Sequence, residues 1–136
     1  MNQRKLKKVV CITLLISMLF GTTVFAASYT GYVLPARQGN NYTGTHSKQT
    51  AKNYITNRVT DIENADTVTF WAADSNKKQI SADYDQKLCT KVSDSTTIKF
   101  TAYGYSKKGK QVIMGMENAD FYWVERAFVA GTVNFN

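Results

Sequence analysis

Between Thr96 and Tyr105 the side chains alternate, with Ile98, Phe100 and Ala102 on one side and Thr97, Lys99, Thr101, Tyr103 and Tyr105 on the other. A period of two is the repeat of a pleated strand with one face on a core and one toward water. Gln111 to Met116 repeats it through Val112, Met114 and Met116, and Ser106-Lys107-Lys108-Gly109-Lys110 between the two runs has turn chemistry. Gly109 can take positive φ there, so the pattern predicts a β-hairpin. A second hairpin is predicted around Asp74-Ser75-Asn76-Lys77-Lys78. Before it, Val68, Phe70 and Ala72 alternate against Thr67, Thr69 and Trp71, and after it Gln79 to Tyr84 forms a weaker run.

Phe121 to Val129 is apolar on both faces, as in a doubly covered strand; Phe121, Val124 and Phe128 also fit helical spacing, but the β-branched and aromatic content favours the strand. Gly131 then breaks the run, leaving Thr132 to Phe135 as a last strand. Ala51, Ile55, Val59 and Ile62 have helical spacing, yet Asn53, Thr56, Asn57 and Thr60 are poor helix formers, so Lys52 to Ile62 is read as strand. Gln38 to His46 reads as loop. Short strands at close intervals without a convincing long helix define an all-β chain: a small antiparallel β-sandwich or a partly closed barrel.

The first residues follow a different pattern. Arg4, Lys5, Lys7 and Lys8 precede the uncharged apolar run Val9 to Phe20, and Val24-Phe25-Ala26 supplies compact residues before Ala27. This is the layout of a secretory signal peptide over residues 1–26, cleaved after Ala26, with the run too short for the ~20 apolar residues of a membrane span. The expected product is secreted and extracellular, a single domain from Ala27 to Asn136. Its net charge falls from +7 to +3, because four basic residues leave with the leader, so a nucleic-acid reading loses its main support. Cys11 also leaves. Cys89 is then a lone cysteine, read as buried filler because Leu88 precedes it and no histidine lies near it in sequence.

Candidate chemistry is sparse. His46 is the one histidine and reads as a solvated loop residue; with one cysteine and no paired-ligand spacing, a metal site and any other cofactor are not expected. Asp83 and Asp85 are two apart and would share a strand face, but solvated edge carboxylates account for them better than a paired acid and base. Glu117 and Asp120 are expected to cap a turn. No phosphate loop or dinucleotide fingerprint is present, so the chain reads as a non-enzyme.

What remains points to binding. Lys77 and Lys78 sit at one predicted hairpin tip, Lys107, Lys108 and Lys110 at the other, and Tyr103 and Tyr105 lead into the second tip on one outward face. Tyrosines can stack on sugar rings while ammonium groups meet phosphates, which makes an anionic cell-wall polymer, a glycan or lipid headgroups the expected partners. The competing account is that lysines solubilise tips and guard strand edges.

A Gln38-x-x-Asn41-Tyr42 loop, Phe70-Trp71, Val112-x-Met114-x-Met116-Glu117-Asn118 and a terminal strand containing Gly131, behind a signal peptide, resemble small secreted lactococcin-like, bacteriocin-type β-sandwich proteins of Gram-positive bacteria. The resemblance implies an exported β-sandwich encoded beside export and immunity functions, and it carries over no functional residue. The expected function is non-enzymatic binding of the bacterial cell envelope, with bacteriocin-like antagonism as its sharpest form. Two alternatives stand beside it: an extracellular matrix protein that self-associates through aromatic edge strands, and a small envelope hydrolase using Asp83/Asp85 or Glu117/Asp120.

Overall fold

A computed structural model describes residues 26–122 and 124–136. The expected signal segment, apart from Ala26, lies outside the described residues. Among the described residues there are nine strands: β1 (Ala26–Leu34), β2 (Asn41–Tyr42), β3 (His46–Ser47), β4 (Tyr54–Glu63), β5 (Val68–Asp74), β6 (Tyr84–Gln86), β7 (Thr96–Lys99), β8 (Gln111–Asn118) and β9 (Ala127–Asn134). They form two antiparallel sheets, neither closed into a barrel. One sheet has the order β1-β9-β4-β7; the other has β2-β8-β5-β6, with β3 also paired to β8. Among the described residues no helix is long and apolar enough to cross a membrane.

The predicted alternation identifies the core faces correctly. Val68, Phe70 and Ala72 of β5 and Val112, Met114 and Met116 of β8 face inward, and all six are wholly buried. From the other sheet Ile55, Val59, Ile98, Val129 and Val133 meet them. Lys52 to Ile62 is strand from Tyr54 onward, as its helix-poor residues require: β4 begins at Tyr54 and runs one residue past Ile62, and a register shift between Val59 and Asp61 against β9 explains the disturbed period.

The first predicted hairpin is not formed. Thr96–Lys99 pairs with β4 in one sheet, and Gln111–Asn118 pairs with β5 in the other. Between them Phe100 N donates to Asn53 O, and Thr101 N then donates to Ile80 O at 2.8 Å, carrying the chain across to the opposite sheet. Alternation reports which face of a strand is buried, and strands on opposite sides of a sandwich bury theirs against the same core. The pattern therefore could not reveal that these two runs are not neighbours. Tyr103 and Tyr105 consequently lie in a connecting loop and share no strand face.

The second hairpin is present. The Asp74–Lys78 turn closes with Asp74 N donating to Lys78 O at 2.9 Å. Its return limb differs from the prediction: only isolated bridges occur at Gln79 and Ser81, and the paired strand is Tyr84–Gln86.

Two further expectations are corrected. Phe121 to Val129 is not one strand; Asp120 Oδ1 accepts from Tyr122 N at 2.8 Å in a turn, and the strand begins at Ala127. That strand also runs through Gly131 without a break. The backbone carbonyl of Arg58 and the ring of Tyr29 approach so closely that a Cβ at 131 would overlap both, so glycine there admits a neighbour and does not end a strand. Gly115 has the same role under the indole of Trp71. Trp71, Ala73 and Ile113, with Tyr42 against them, make a small second apolar cluster on the outer face of the β5–β8 sheet.

Candidate binding surface at the lysine end

Strand register places both lysine tips at one end of the sandwich. In the β5–β8 pair Asp74 lies opposite Val112, so the turn after β5 and the loop before β8 emerge side by side. Lys48 braces the second of them, since Gly109 N donates to Lys48 O and Lys48 N to Lys110 O. Lys77, Lys78, Lys107, Lys108 and Lys110, widely separated in sequence, are thus gathered on one surface.

Asp74 organises that surface. Its Oδ1 accepts from Asn76 N and from Lys78 N, each at 2.9 Å, and its Oδ2 accepts from the Tyr105 hydroxyl at 3.2 Å. The backbone donor of Lys78, foremost among these bonds, holds the carboxyl below the usual carboxylate range. Tyr105 is shifted upward by its burial and then by the Asp74 charge. One carboxylate therefore shapes the first tip and holds the second against it.

An open cleft of about 380 Å³ lies between the tips, lined by Asp74, Ser75, Asn76, Tyr105, Lys110 and Gln111 among others. Lys110 Nζ stands 5.1 Å from the Tyr105 ring centroid, and Lys77 Nζ 5.0 Å from that of Tyr42. Both lysines are held over aromatic faces with their ammonium groups at the surface. Lys107 and Lys108 are exposed, and Tyr103 is 100 % exposed in a neighbouring shallow cleft with Asn53 and Phe100. The structure therefore brings Tyr105 together with the lysines and leaves Tyr103 beside them.

Sequence reasoning missed Lys48. Its side chain is 1 % exposed and donates to the carbonyls of Asn136 and, at 3.3 Å, Tyr54, while Nζ lies 4.9 Å from the Phe100 ring centroid. Burial, assisted by the charge of Lys52, lowers its pKa to about 8. A lysine in a polar run carries no local signal of burial; only the meeting of three distant segments creates it.

The other candidates fall elsewhere. His46 is not a loose loop residue: it belongs to β3 and stacks on Phe135, centroids 4.4 Å apart. Cys89 is buried, and its Sγ accepts from Gln86 Nε2 at 2.9 Å. Gln86 also accepts from Asn57, which accepts from the Tyr29 hydroxyl, so a polar chain runs through the interior. Asp85 lies on edge strand β6 and accepts from Thr69 at 2.6 Å. Glu117 lies on β8 and caps no turn; burial and then the charges of Asp83 and Asp85 raise its pKa. Asp120 does cap one. Among the described residues no three His, Cys, Asp or Glu side chains are grouped to hold a metal ion. No known protein family, curated protein or solved structure matches the chain.

Proposed function

We propose that this is an exported, non-enzymatic β-sandwich that binds anionic polymers of the bacterial envelope through its lysine end. The observation that carries the reading is the bond from Tyr105 to Asp74, which joins two lysine-bearing loops into one surface with a cleft between them. Five exposed ammonium groups around tyrosine faces fit a chain of phosphates or carboxylates that also carries sugar rings. Asp74 is the acid of that cleft, and its hydrogen bonds are already committed to the turn and to Tyr105. Antagonism of a neighbouring cell is the form of this function that the resemblance favours.

Self-association through edge strands has less support. Edge strands β2, β3, β6 and β7 are two to four residues long, and the pairing of the long edge strand β1 shifts between Tyr29 and Tyr32. Short and irregular edges are how β-proteins avoid strand addition. The envelope reading is tested by sedimenting the purified protein with isolated cell walls and with anionic vesicles over a salt series. Binding at low salt that falls as salt rises, and that Lys107→Glu/Lys108→Glu reduces at least about tenfold, supports it. Absence of binding at low salt ends it.

A further inference from the structure

We propose that the end of the sandwich opposite the lysines is a receptor for the lysine end of a second copy, so that the protein associates head to tail. At that end the 64–67 connection, β6 and the start of the 119–126 connection enclose an open cleft of about 630 Å³. Asp66, Asp85 and Asp120 line it together with Asn64, Thr67 and Asn118. Asp85 and Asp120 each use one oxygen, on Thr69 and on the Tyr122 amide respectively.

A second feature of the cleft wall is an unpartnered donor. Asn118 is 2 % exposed; its Oδ1 accepts from Asp120 N at 3.0 Å, but its buried Nδ2 has no partner among the described residues. A buried amide N–H calls for an acceptor. Carboxylates that accept and an amide that donates match the ammonium groups and backbone carbonyls of an exposed, lysine-bearing loop. Beside the cleft, Phe121 and Tyr122 stand edge to face at 5.7 Å and are 56 % and 86 % exposed. Exposed rings next to carboxylates suit lysine stems and ammonium heads, which pack on aromatic faces.

Charge complementarity identifies the occupant. The cleft end carries Glu63, Asp66, Asp85, Glu117, Asp120 and Glu125 against Arg37, Lys87 and Arg126, so it stays acidic, while the far end carries the lysines gathered around Asp74. The seven residues of β5 separate the ends by roughly 23 Å at about 3.3 Å per residue, well beyond the ~8 Å Debye length of physiological salt. One molecule therefore cannot neutralise its own ends, but a neighbour can. Two unlike surfaces make a heterologous contact, which extends into chains unless a rotation happens to close it. Lys107 and Lys108, adjacent exposed residues of the loop before β8, are the groups that enter the cleft.

Sedimentation velocity of the purified protein over a concentration series tests this. At low ionic strength the weight-average mass should rise at least about twofold with concentration, and in about 1 M salt, where the Debye length is about 3 Å, it should stay monomeric. Lys107→Glu/Lys108→Glu and Asp66→Lys/Asp120→Lys should each be monomeric alone. Mixed in equal amounts they should associate again, because each retains the end the other needs; recovery in the mixture also shows that both are folded. Tyr122→Ala, which changes no charge, should weaken association several-fold. A wild type that stays monomeric at high concentration and low salt overturns the proposal, as does association that neither charge-reversed variant alters. Asp66→Lys/Asp120→Lys leaves the lysine end intact and should still bind anionic polymer, so this proposal and the envelope reading fail separately.

Discussion

The Tyr105 hydroxyl donates to Asp74 Oδ2 at 3.2 Å across thirty-one residues of sequence, and by that bond two loops from different parts of the chain become one surface. Tyr105→Phe removes the tie while keeping the ring under Lys110. A hydrogen bond of this kind contributes about 0.5–1.5 kcal/mol, so global stability should fall slightly. Cleavage by trypsin within Lys107–Lys110 should accelerate several-fold, because the loop is freed more than the core. Limited proteolysis read by mass spectrometry measures it; an unchanged cleavage rate would show that the loop is held by other contacts.

Gly115 is predicted to be intolerant of any side chain. Its backbone lies directly under the Trp71 indole, which is 4 % exposed within the outer apolar cluster. Gly115→Ala must push the ring outward from Ala73 and Ile113 or bend β8, and overpacking of this kind costs about 1–3 kcal/mol. Urea unfolding followed by tryptophan fluorescence should show the lower midpoint together with a red-shifted native spectrum. Gly31, with open space where its Cβ would stand, owes its constraint to its positive φ alone, so Gly31→Asn should cost less.

Stability should pass through a maximum near pH 10. Lys48 has a folded pKa of about 8, below its ordinary 10.5, so the native state binds fewer protons than the unfolded chain between those values. Stability therefore rises with pH across that window, and the burial cost is present in full below it. Tyr29 has the opposite sign. Burial raises its hydroxyl well above 10.0, so its contribution is complete below pH 10 and is lost at higher pH. Denaturant midpoints from pH 7 to 11 should show the rise and the fall. Lys48→Met should flatten the rise and Tyr29→Phe the fall; a rise of unchanged slope in Lys48→Met refutes the assignment.

Gln86 ties the interior polar chain together, since its amide meets Asn57, Cys89 and the Asp94 carbonyl. Gln86→Leu leaves the buried Asn57 amide without its acceptor, and an orphaned polar group costs about 1–3 kcal/mol. The same variant loosens the surroundings of Cys89. Labelling of that thiol by a neutral alkylating reagent, slow in the native wild type, should speed up at least about tenfold. A variant equal to wild type in both stability and labelling would show that the polar chain is dispensable.

Local pattern carried the strand content and the core faces of this chain. Period-two alternation marked Val68, Phe70 and Ala72 and Val112, Met114 and Met116 as inward, because burial on one side of a pleat imposes that period on the residues themselves. The Asp74–Lys78 turn was also readable, since its chemistry lies within five consecutive residues. Helix-poor residues in Lys52 to Ile62 outweighed a helical spacing that a register shift had produced. The lysine tips could be identified one at a time for the same reason.

Which strands pair, and what meets at each end, was decided by the tertiary structure alone. Thr96–Lys99 and Gln111–Asn118 carry compatible alternation yet lie in opposite sheets, because a hydrophobic period specifies the face a strand buries and not the neighbour beside it. The burial of Lys48, the tie between Tyr105 and Asp74, and the separation of acidic from basic ends all join residues far apart in the chain. Such relations arise from packing two sheets face to face, and no single segment of sequence contains them.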